Sequence, residues 1–231
     1  MALEVVYHGH SCVEIKSGPH CIQLDPFYDQ NPRSDVKSDQ VHPSFIFLSH
    51  AHFDHVDDVA RIAQRTGASI VANYEIAEYF GGQKLKTVGM NTGGGINFPF
   101  GRATMTMAFH TSTFADGTPG GVPGGWVLEI GGKIIYFAGD TGLFSDMALI
   151  GKLWPIDLAF LPIGDCFTMG PAHALLAAEM LRAKSVVPIH YNTFEPIRQD
   201  GAAFVEALKK REIPGFMQGF ALKPGERCQV P

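Results

Sequence analysis

The chain has 231 residues and a formal net charge of −5 at pH 7, with 45% hydrophobic and 18% charged residues. This length suits one domain, residues 1–231, and the apolar content is enough for a core, which excludes a globally disordered chain. The acidic balance, with no basic run longer than residues 209–211, disfavours a nucleic-acid surface. The apolar runs are too short to span a bilayer, so we expect no membrane partner.

The four cysteines, at positions 12, 21, 166 and 228, are irregularly spaced and form no CxxC pair. The first residues lack the basic and apolar segments of a signal peptide. We therefore expect reduced thiols and a cytoplasmic location. Cys166 lies in a polar, loop-like setting, but no base is paired with it, so a catalytic thiol is not expected.

Glycine and proline are spread along the chain and separate many short apolar segments. Alternating or wholly apolar runs predict strands over residues 3–7, 12–15, 21–24, 45–48, 69–72, 103–109, 126–130, 133–137, 158–161, 185–189 and 216–222. Helical spacing predicts helices over residues 56–65, 74–80, 143–150, 172–181 and 201–210. Asp57 and Asp58 are expected in the first turn of the first helix, where carboxylates favour the helix dipole.

The order of these elements indicates the fold class. Gly131 and Gly132 separate two strand patterns and predict a hairpin, which requires antiparallel pairing. Strands and helices alternate elsewhere, and wholly apolar strands need cover on both faces. We therefore predict an α/β protein with sheets packed between helices.

The most informative segment is LSHAHFDH at residues 48–55, between a predicted buried strand and a helix. Residues two apart in extended chain point the same way, so His50 and His52 can reach one metal ion together. The chain then turns, and Asp54 and His55 can point to a second ion nearby. Imidazole and carboxylate ligands suit a divalent metal such as zinc. Packing alone would not place four ionisable groups here, because burying them without partners is costly.

Three further candidate ligands follow predicted strands. His110 comes after strand 103–109, Asp140 after strand 133–137, and His190 after strand 185–189. Open α/β sheets gather ligands just beyond the carboxyl ends of their strands. Together with segment 48–55, which also follows a predicted strand, these three positions predict a metal site at one sheet edge.

This pattern resembles the metallo-β-lactamase superfamily in its HxHxDH segment, His110, the Gly139–Asp140 step and His190. The chain is similar, over nearly its whole length, to the UPF0173 metal-dependent hydrolase group. The segments that carry this similarity are YHGHSC (7–12), LDPF (24–27), ANYE (72–75), AGDTGLFSDM (138–147), LPIGD (161–165) and HYNTF (190–194).

The resemblance implies a four-layer αβ/βα sandwich with two metal ions at one edge of its sheets. His50, His52 and His110 would hold one ion, and Asp54, His55 and His190 the other. Asp140 would bridge the two ions. A hydroxide between them would attack a small ester, lactone, thioester or phosphodiester, and Asp54 would orient it or take its proton. Asp54 and Asp140 are thus the implied catalytic residues, and a small molecule is the expected partner.

The metal and the reaction class are left open by the resemblance. Zinc is expected first, with manganese, nickel or iron as alternatives, because affinity order alone does not decide occupancy. His52 stands where flavodiiron relatives carry Glu, which argues against a di-iron redox site. A mono-iron dioxygenase acting on a persulfide and a non-catalytic metal-binding protein are the alternative functions. No sequence feature settles whether the chain forms a homo-oligomer.

Supporting roles are assigned to residues near the ligands. His8 and His10 either assist the metal or substrate or lie on a surface hairpin, and Asp25 is expected to accept a hydrogen bond from a ligand histidine. Thr141, Asn192 and Thr193 flank ligands and are candidates for orienting them or the substrate. His20 and His42 are interpreted as surface residues, and His173, at a helix start, as a neutral side chain. The glycine-rich segment 111–125 after His110 looks flexible and is either a lid over the site or only an irregular connection, with a role in substrate access favoured.

Overall fold

The computed structural model describes residues 3–231 and contains two seven-stranded mixed sheets. The first sheet is built, in spatial order, from β14 (Arg227–Gln229), β1 (Glu4–Tyr7), β2 (Val13–Ser17), β3 (His20–Leu24), β4 (Phe45–Phe47), β5 (Ser69–Asn73) and β6 (Thr87–Met90). Pairing is antiparallel from β14 to β3 and parallel from β3 to β6. Strands β1, β3 and β4 therefore run the same way.

The second sheet is built from β13 (Gln218–Gly219), β12 (Ser185–Ile189), β11 (Leu158–Pro162), β10 (Lys133–Phe137), β9 (Gly124–Ile130), β8 (Gly101–Met107) and β7 (Gly95–Phe98). The predicted hairpin is confirmed: β9 and β10 pair antiparallel through Gly131 and Gly132, whose φ angles of 59° and 78° suit a tight hairpin turn. From β10 to β13 the strands are parallel.

Residues 3–231 contain six α-helices. They are α1 (Phe53–Val56), α2 (Val59–Thr66), α3 (Tyr74–Gly81), α4 (Met147–Leu153), α5 (Pro171–Leu181) and α6 (Gly201–Leu208). Of these, α2 to α6 pack on the outer faces of the two sheets. One apolar core lies between the sheets, a second joins α4, α5 and α6 to the second sheet, and a third joins α2 and α3 to the first. This four-layer α/β sandwich is the predicted fold class. Among residues 3–231, no helix combines the length and apolarity needed to cross a membrane.

Several predicted elements need correction. The first helix is interrupted, because Asp58 turns its carboxylate to the backbone N–H groups of Tyr28 and Asp29 at 2.6 and 3.1 Å. Asp57 and Asp58 thus separate α1 from α2 and do not form a first turn. The predicted strand 216–222 is reduced to β13, since its aromatic residues pack into the cores. Strands β6, β7 and β14 were not predicted.

Segment 111–125 is an ordered structure and not the flexible stretch expected from its glycines. Thr113 and Pro119 form a β-bridge, and the ring of Phe114 stacks on Tyr79 with centroids 3.7 Å apart. The side-chain amide of Asn73 donates to the carbonyls of Gly120 and Val122 at 2.6 and 2.9 Å. The carbonyl of the same amide accepts from the N–H of Ile76 and so caps α3.

We expect Asn73→Ala to lower the free energy of unfolding by about 2 to 3 kcal/mol, because it removes a helix cap and leaves the buried carbonyl of Gly120 without its donor. Urea unfolding measures this loss. The control is Asn97→Ala on exposed β7, where a change within about 0.5 kcal/mol is expected. Equal unfolding midpoints for the two variants would show that Asn73 does not hold the segment.

Candidate metal centre

Parallel strands deliver the candidate ligands to one edge where the two sheets meet. His50 and His52 follow β4, and Asp54 and His55 lie in α1 directly after them. From the second sheet, His110 follows β8, Asp140 follows β10 and His190 follows β12. The structure thus brings all seven residues together, although they are widely separated in the sequence.

Two groups of side chains form at this edge. In the first, the ring atoms of His50, His52 and His110 lie within 4.8 Å of one another. His50 Nε2 and His52 Nδ1 are 2.9 Å apart, and the His110 ring centroid is 4.9 Å from that of His50 and 5.1 Å from that of His52. Three nitrogens at this spacing converge on a point that one cation can occupy.

The second group combines Asp54, His55 and His190 with His10, again within 4.8 Å. Asp54 Oδ2 lies 3.9 Å from His55 Nε2 and 3.8 Å from His190 Nε2. His10 Nε2 is 2.9 Å from the same oxygen, which is hydrogen-bond distance. His10 therefore belongs to the centre itself, and the surface-hairpin interpretation is wrong for this residue.

Asp140 lies between the two groups. Its Oδ2 atom is 2.9 Å from His190 Nε2 and 3.4 Å from His55 Nε2 on one side. On the other side it is 3.6 Å from His110 Nε2 and 4.0 Å from His50 Nε2. One carboxylate oxygen thus faces nitrogens of both groups, the position that a bridging ligand needs.

A close backbone approach sets this position. Gly139 has a φ of 61° and packs so tightly that an added Cβ would lie 2.6 Å from Cβ of Ser49. Only glycine combines this left-handed conformation with this contact. Gly139 therefore lets the chain after β10 reach across to the first sheet.

Buried atoms without hydrogen-bond partners show that a cation fits the centre. Within residues 3–231, His55 Nε2, His190 Nε2 and Asp140 Oδ1 are buried and make no hydrogen bond. A buried polar atom left in this way costs about 1 to 3 kcal/mol, so native proteins rarely keep several in one place. Imidazole nitrogens with a carboxylate oxygen are ligands for a divalent cation, which would supply the missing partner.

The carboxylates are held ionised by their neighbours. Burial raises the pKa of Asp140, but the charges of His190 and His55 outweigh burial and hold it well below its usual value. Burial also opposes ionisation of Asp54, yet the charge of His55, the hydrogen bond from His10 and the nearby ring of His190 lower its pKa. Both groups therefore present anionic oxygen, the form that binds a cation.

The histidines divide by whether burial or the combined effect of the neighbouring carboxylates has the larger influence on their pKa. Burial lowers the pKa of His10 to about 4, with His190 adding to the effect, and burial also lowers the pKa of His50, His52 and His110. These rings are neutral at pH 7 and keep a lone pair. Burial opposes protonation of His190 too, but Asp140 raises its pKa to about 9. A cation would displace that proton.

Asp25, at the end of β3, fixes the orientation of two histidines. Its fully buried carboxylate accepts from His55 Nδ1 at 2.7 Å and from the N–H of Ser49 at 2.7 Å. The Ser49 hydroxyl donates to the same carboxylate, so its lone pair accepts from His50 Nδ1 at 2.9 Å. Both rings then present Nε2 as the free nitrogen toward the centre. Ser49 was not predicted, because a serine before a ligand has no distinctive sequence signal.

His10 is fixed from its other side by Thr193, whose hydroxyl is 2.9 Å from Nδ1. If this hydroxyl donates, Nε2 carries the proton and donates to Asp54. The N–H of His190 also donates to the carbonyl of His10 at 2.8 Å. His10 and His190 both have left-handed backbone, with φ of 57° and 54°, a strained conformation of the kind that surrounding contacts must hold in place.

Three other predicted supporting residues, His8, Thr141 and Asn192, bond to groups outside the metal centre. His8 is buried and bonds Asp35 at 2.8 Å, so it neither joins the centre nor lies on the surface. Thr141 accepts from the N–H of Phe109, and Asn192 bonds the backbone of Gln199, so both brace loops. Of the two histidines predicted at the surface, His42 is exposed and His20 is half-buried. His173 is exposed in the first turn of α5.

A cleft of about 400 Å³ opens over the centre. Besides ligands, it is lined by Phe53, Thr111, Phe167 and Phe194. Sequence reasoning missed the three phenylalanines, because an isolated aromatic residue in a loop is ordinarily assigned to packing. The position of Phe53 inside the HxHxDH segment was the one available signal.

Comparison with known proteins identifies the family. The sequence model of the beta-lactamase superfamily domain matches residues 20–191. A relative from Thermus thermophilus is 49% identical over 224 residues, covering 97% of both chains. Another, from Geobacillus thermodenitrificans, is 48% identical over 232 residues and covers 99% of this chain and 100% of the relative. Both are named UPF0173 metal-dependent hydrolases.

The chain belongs to the UPF0173 family of the metallo-β-lactamase superfamily. A solved structure described as a novel metallo hydrolase from the archaeon Ignicoccus hospitalis is 34% identical, with a TM-score of 0.90 over 100% of this chain and 99% of that one. The metallo-β-lactamase fold protein YhfI from Bacillus subtilis is 16% identical, with a TM-score of 0.73 over 99% and 100% of the chains. The second likeness concerns the fold alone. Metal-dependent hydrolysis is thus the activity named in the family.

Proposed function

We propose that this UPF0173 protein is a binuclear metal-dependent hydrolase of a small ester, lactone, thioester or phosphodiester. The observation that carries the proposal is the position of Asp140, whose Oδ2 faces ring nitrogens of both histidine groups within 4.0 Å. His50, His52 and His110 would hold one ion, and Asp54, His55 and His190 the other. Zinc is the first choice, with manganese, nickel and iron as alternatives.

Bound together, such ions lower the pKa of a water molecule and polarise the oxygen of the scissile carbonyl or phosphoryl group. The protein's own residues prepare the site for that chemistry. Asp54 presents an anionic oxygen at the mouth of the cleft, where it can orient a water molecule or accept its proton. His10, neutral and buried, donates to this oxygen and holds it in one direction.

The cleft limits what can reach the centre. Its volume of about 400 Å³ suits a small molecule and not a folded partner. Phe53 and Phe194 form one side of this cleft and Asp140 lies among its lining residues. A small-molecule substrate is therefore part of the proposal.

Elemental analysis of the untagged protein, with metals counted per chain, is the deciding experiment. We expect about two divalent ions per chain, and hydrolysis of at least one substrate from an ester, lactone, thioester and phosphodiester panel that stops on chelation and returns on reloading. A single iron with oxygen uptake would support the dioxygenase alternative. Bound metal without turnover on the panel would favour a non-catalytic protein, and hydrolysis unaffected by chelation would overturn the proposal.

A further inference from the structure

The cleft over the metal centre is walled by exposed aromatic rings. Phe53 is 46% exposed and Phe167 is 56% exposed, although both are large apolar side chains. Phe194, half-buried, completes the walls. Exposed apolar surface that converges on a pocket with a few polar groups is typical of a ligand site, because burying it against a ligand is favourable.

One wall of the cleft is formed by Phe53 and Phe194 and lies beside the candidate metal ligands. Phe53 lies between His52 and Asp54 in sequence, and its ring meets the buried ring of Phe27 edge-on at 5.8 Å. Phe194 packs on the same ring at 6.4 Å and on Phe53 at 6.3 Å. These contacts within the protein hold both rings beside the centre. The wall is therefore preformed, which lowers the entropy cost of binding an apolar group.

The third aromatic residue of the lining, Phe167, stands on a tight turn between β11 and α5. Asp165 and Cys166 both have left-handed backbone, with φ of 61° and 52°. The N–H groups of Asp165 and Thr168 bond the carbonyls of Met169 and Asp165 at 3.0 and 3.1 Å. Strained backbone next to a site is commonly retained for function, and here the turn presents Phe167 to the cleft.

Apart from the candidate metal ligands, the side chains that line the cleft carry no positive charge for an anionic substrate. Among residues 3–231, those that line it include no lysine or arginine, while two of them are the carboxylates Asp54 and Asp140. The protein does have a basic pocket of about 570 Å³, but it is separate from the cleft. Arg33, Arg198 and Lys223 line it together with His10. A phosphodiester in the cleft could pair its charge only with the bound ions, whereas an uncharged apolar group would meet the phenylalanine rings that form most of the remaining lining.

Resting on the proposed function, we infer that the substrate is an uncharged carboxylic ester or lactone whose acyl group is apolar and seats between Phe53, Phe194 and Phe167. In the reaction, water adds to the acyl carbon and the bond from that carbon to the alkoxy oxygen breaks. The new C–OH bond makes the carboxylic acid, and the second proton of water goes to the leaving alkoxy oxygen to give the alcohol.

The test compares p-nitrophenyl acetate, p-nitrophenyl hexanoate and bis(p-nitrophenyl) phosphate on the metal-loaded protein. We expect kcat/KM to rise at least about tenfold from acetate to hexanoate, and the phosphodiester to be the poorest substrate. Phe53→Ala and Phe167→Ala should each remove about tenfold from the hexanoate value and much less from the acetate value. Phe109→Ala is the matched control, since this ring is 59% exposed but lies outside the cleft lining.

A binding measurement supplies a readout apart from turnover. The neutral ketone 2-octanone, which cannot be hydrolysed, should bind the wild-type and Phe109→Ala proteins, and Phe53→Ala should weaken its binding severalfold in ligand-observed NMR. Equal hexanoate and acetate rates would overturn the substrate class and leave the hydrolase proposal intact, as would preferential cleavage of the phosphodiester. Ketone binding that none of the cleft variants changes would also overturn it. If the metal-loaded wild-type protein hydrolysed none of the substrates, the proposed function itself would be contradicted.

Discussion

Asp140→Asn is expected to reduce metal content and hydrolytic activity together. The substitution keeps the shape of the side chain and removes the charge that faces both histidine groups. Changing a residue that only orients a ligand typically costs about 10- to 100-fold in affinity or activity, so losing a bridging carboxylate should cost more than about 100-fold in kcat/KM. Metals per chain and kcat/KM should be measured on the same preparation.

Asp146→Asn is a suitable control for this experiment. Asp146 lies six residues further along the chain, is exposed, and precedes α4 without capping it. It should keep full metal content and activity. If Asp140→Asn retained both as well, the bridging role and the binuclear proposal would be wrong.

Asp25→Asn should weaken metal binding without removing any proposed ligand. The carboxylate accepts from His55 directly and from His50 through Ser49, so it sets which nitrogen of each ring is free. Asparagine presents an N–H donor in place of one acceptor oxygen and breaks this arrangement. We expect about 10- to 100-fold lower metal affinity, measured by competition with a chromophoric chelator.

A general loss of stability is the alternative explanation for such a result, and Asp157→Asn tests it. Asp157 is also buried, and it accepts from the N–H of Ile134 and from Lys184 Nζ, both at 2.8 Å. Urea unfolding should show both variants destabilised, while the chelator competition should respond to Asp25→Asn alone. Equal metal affinities in the two variants would contradict the role of Asp25.

Sequence reasoning succeeded where a side chain follows a strongly apolar strand. β4 and β12 are wholly or largely buried, so their sequences predict where they end and which residues come next. It failed for β7 and β14, which are edge strands of only four and three residues, too short to show a clear alternation of apolar and polar positions. Such strands are formed by their neighbours, and local propensity says little about them.

Long-range geometry accounts for the rest of the centre. His10 and Thr193 are 183 residues apart and meet only because β1 and β12 end at the same edge. Nothing near His10 in the sequence indicates that His10 lies in the metal centre while His8 lies against Asp35. The aromatic residues of the cleft also depend on long-range geometry. Phe53 follows a strand of the first sheet and Phe167 follows a strand of the second, and only the fold brings them to one cleft.

The pairing of β14 with β1 has a consequence for the order in which the first sheet can be completed. Glu4 pairs with Gln229, so the outer edge of β1 lacks its partner until residue 229 has been synthesised. An open strand edge offers N–H and C=O groups to other chains, and pairing across such a separation is slow. This edge is therefore exposed to chaperones or aggregation during synthesis, and deletion of residues 227–229 would leave it exposed permanently.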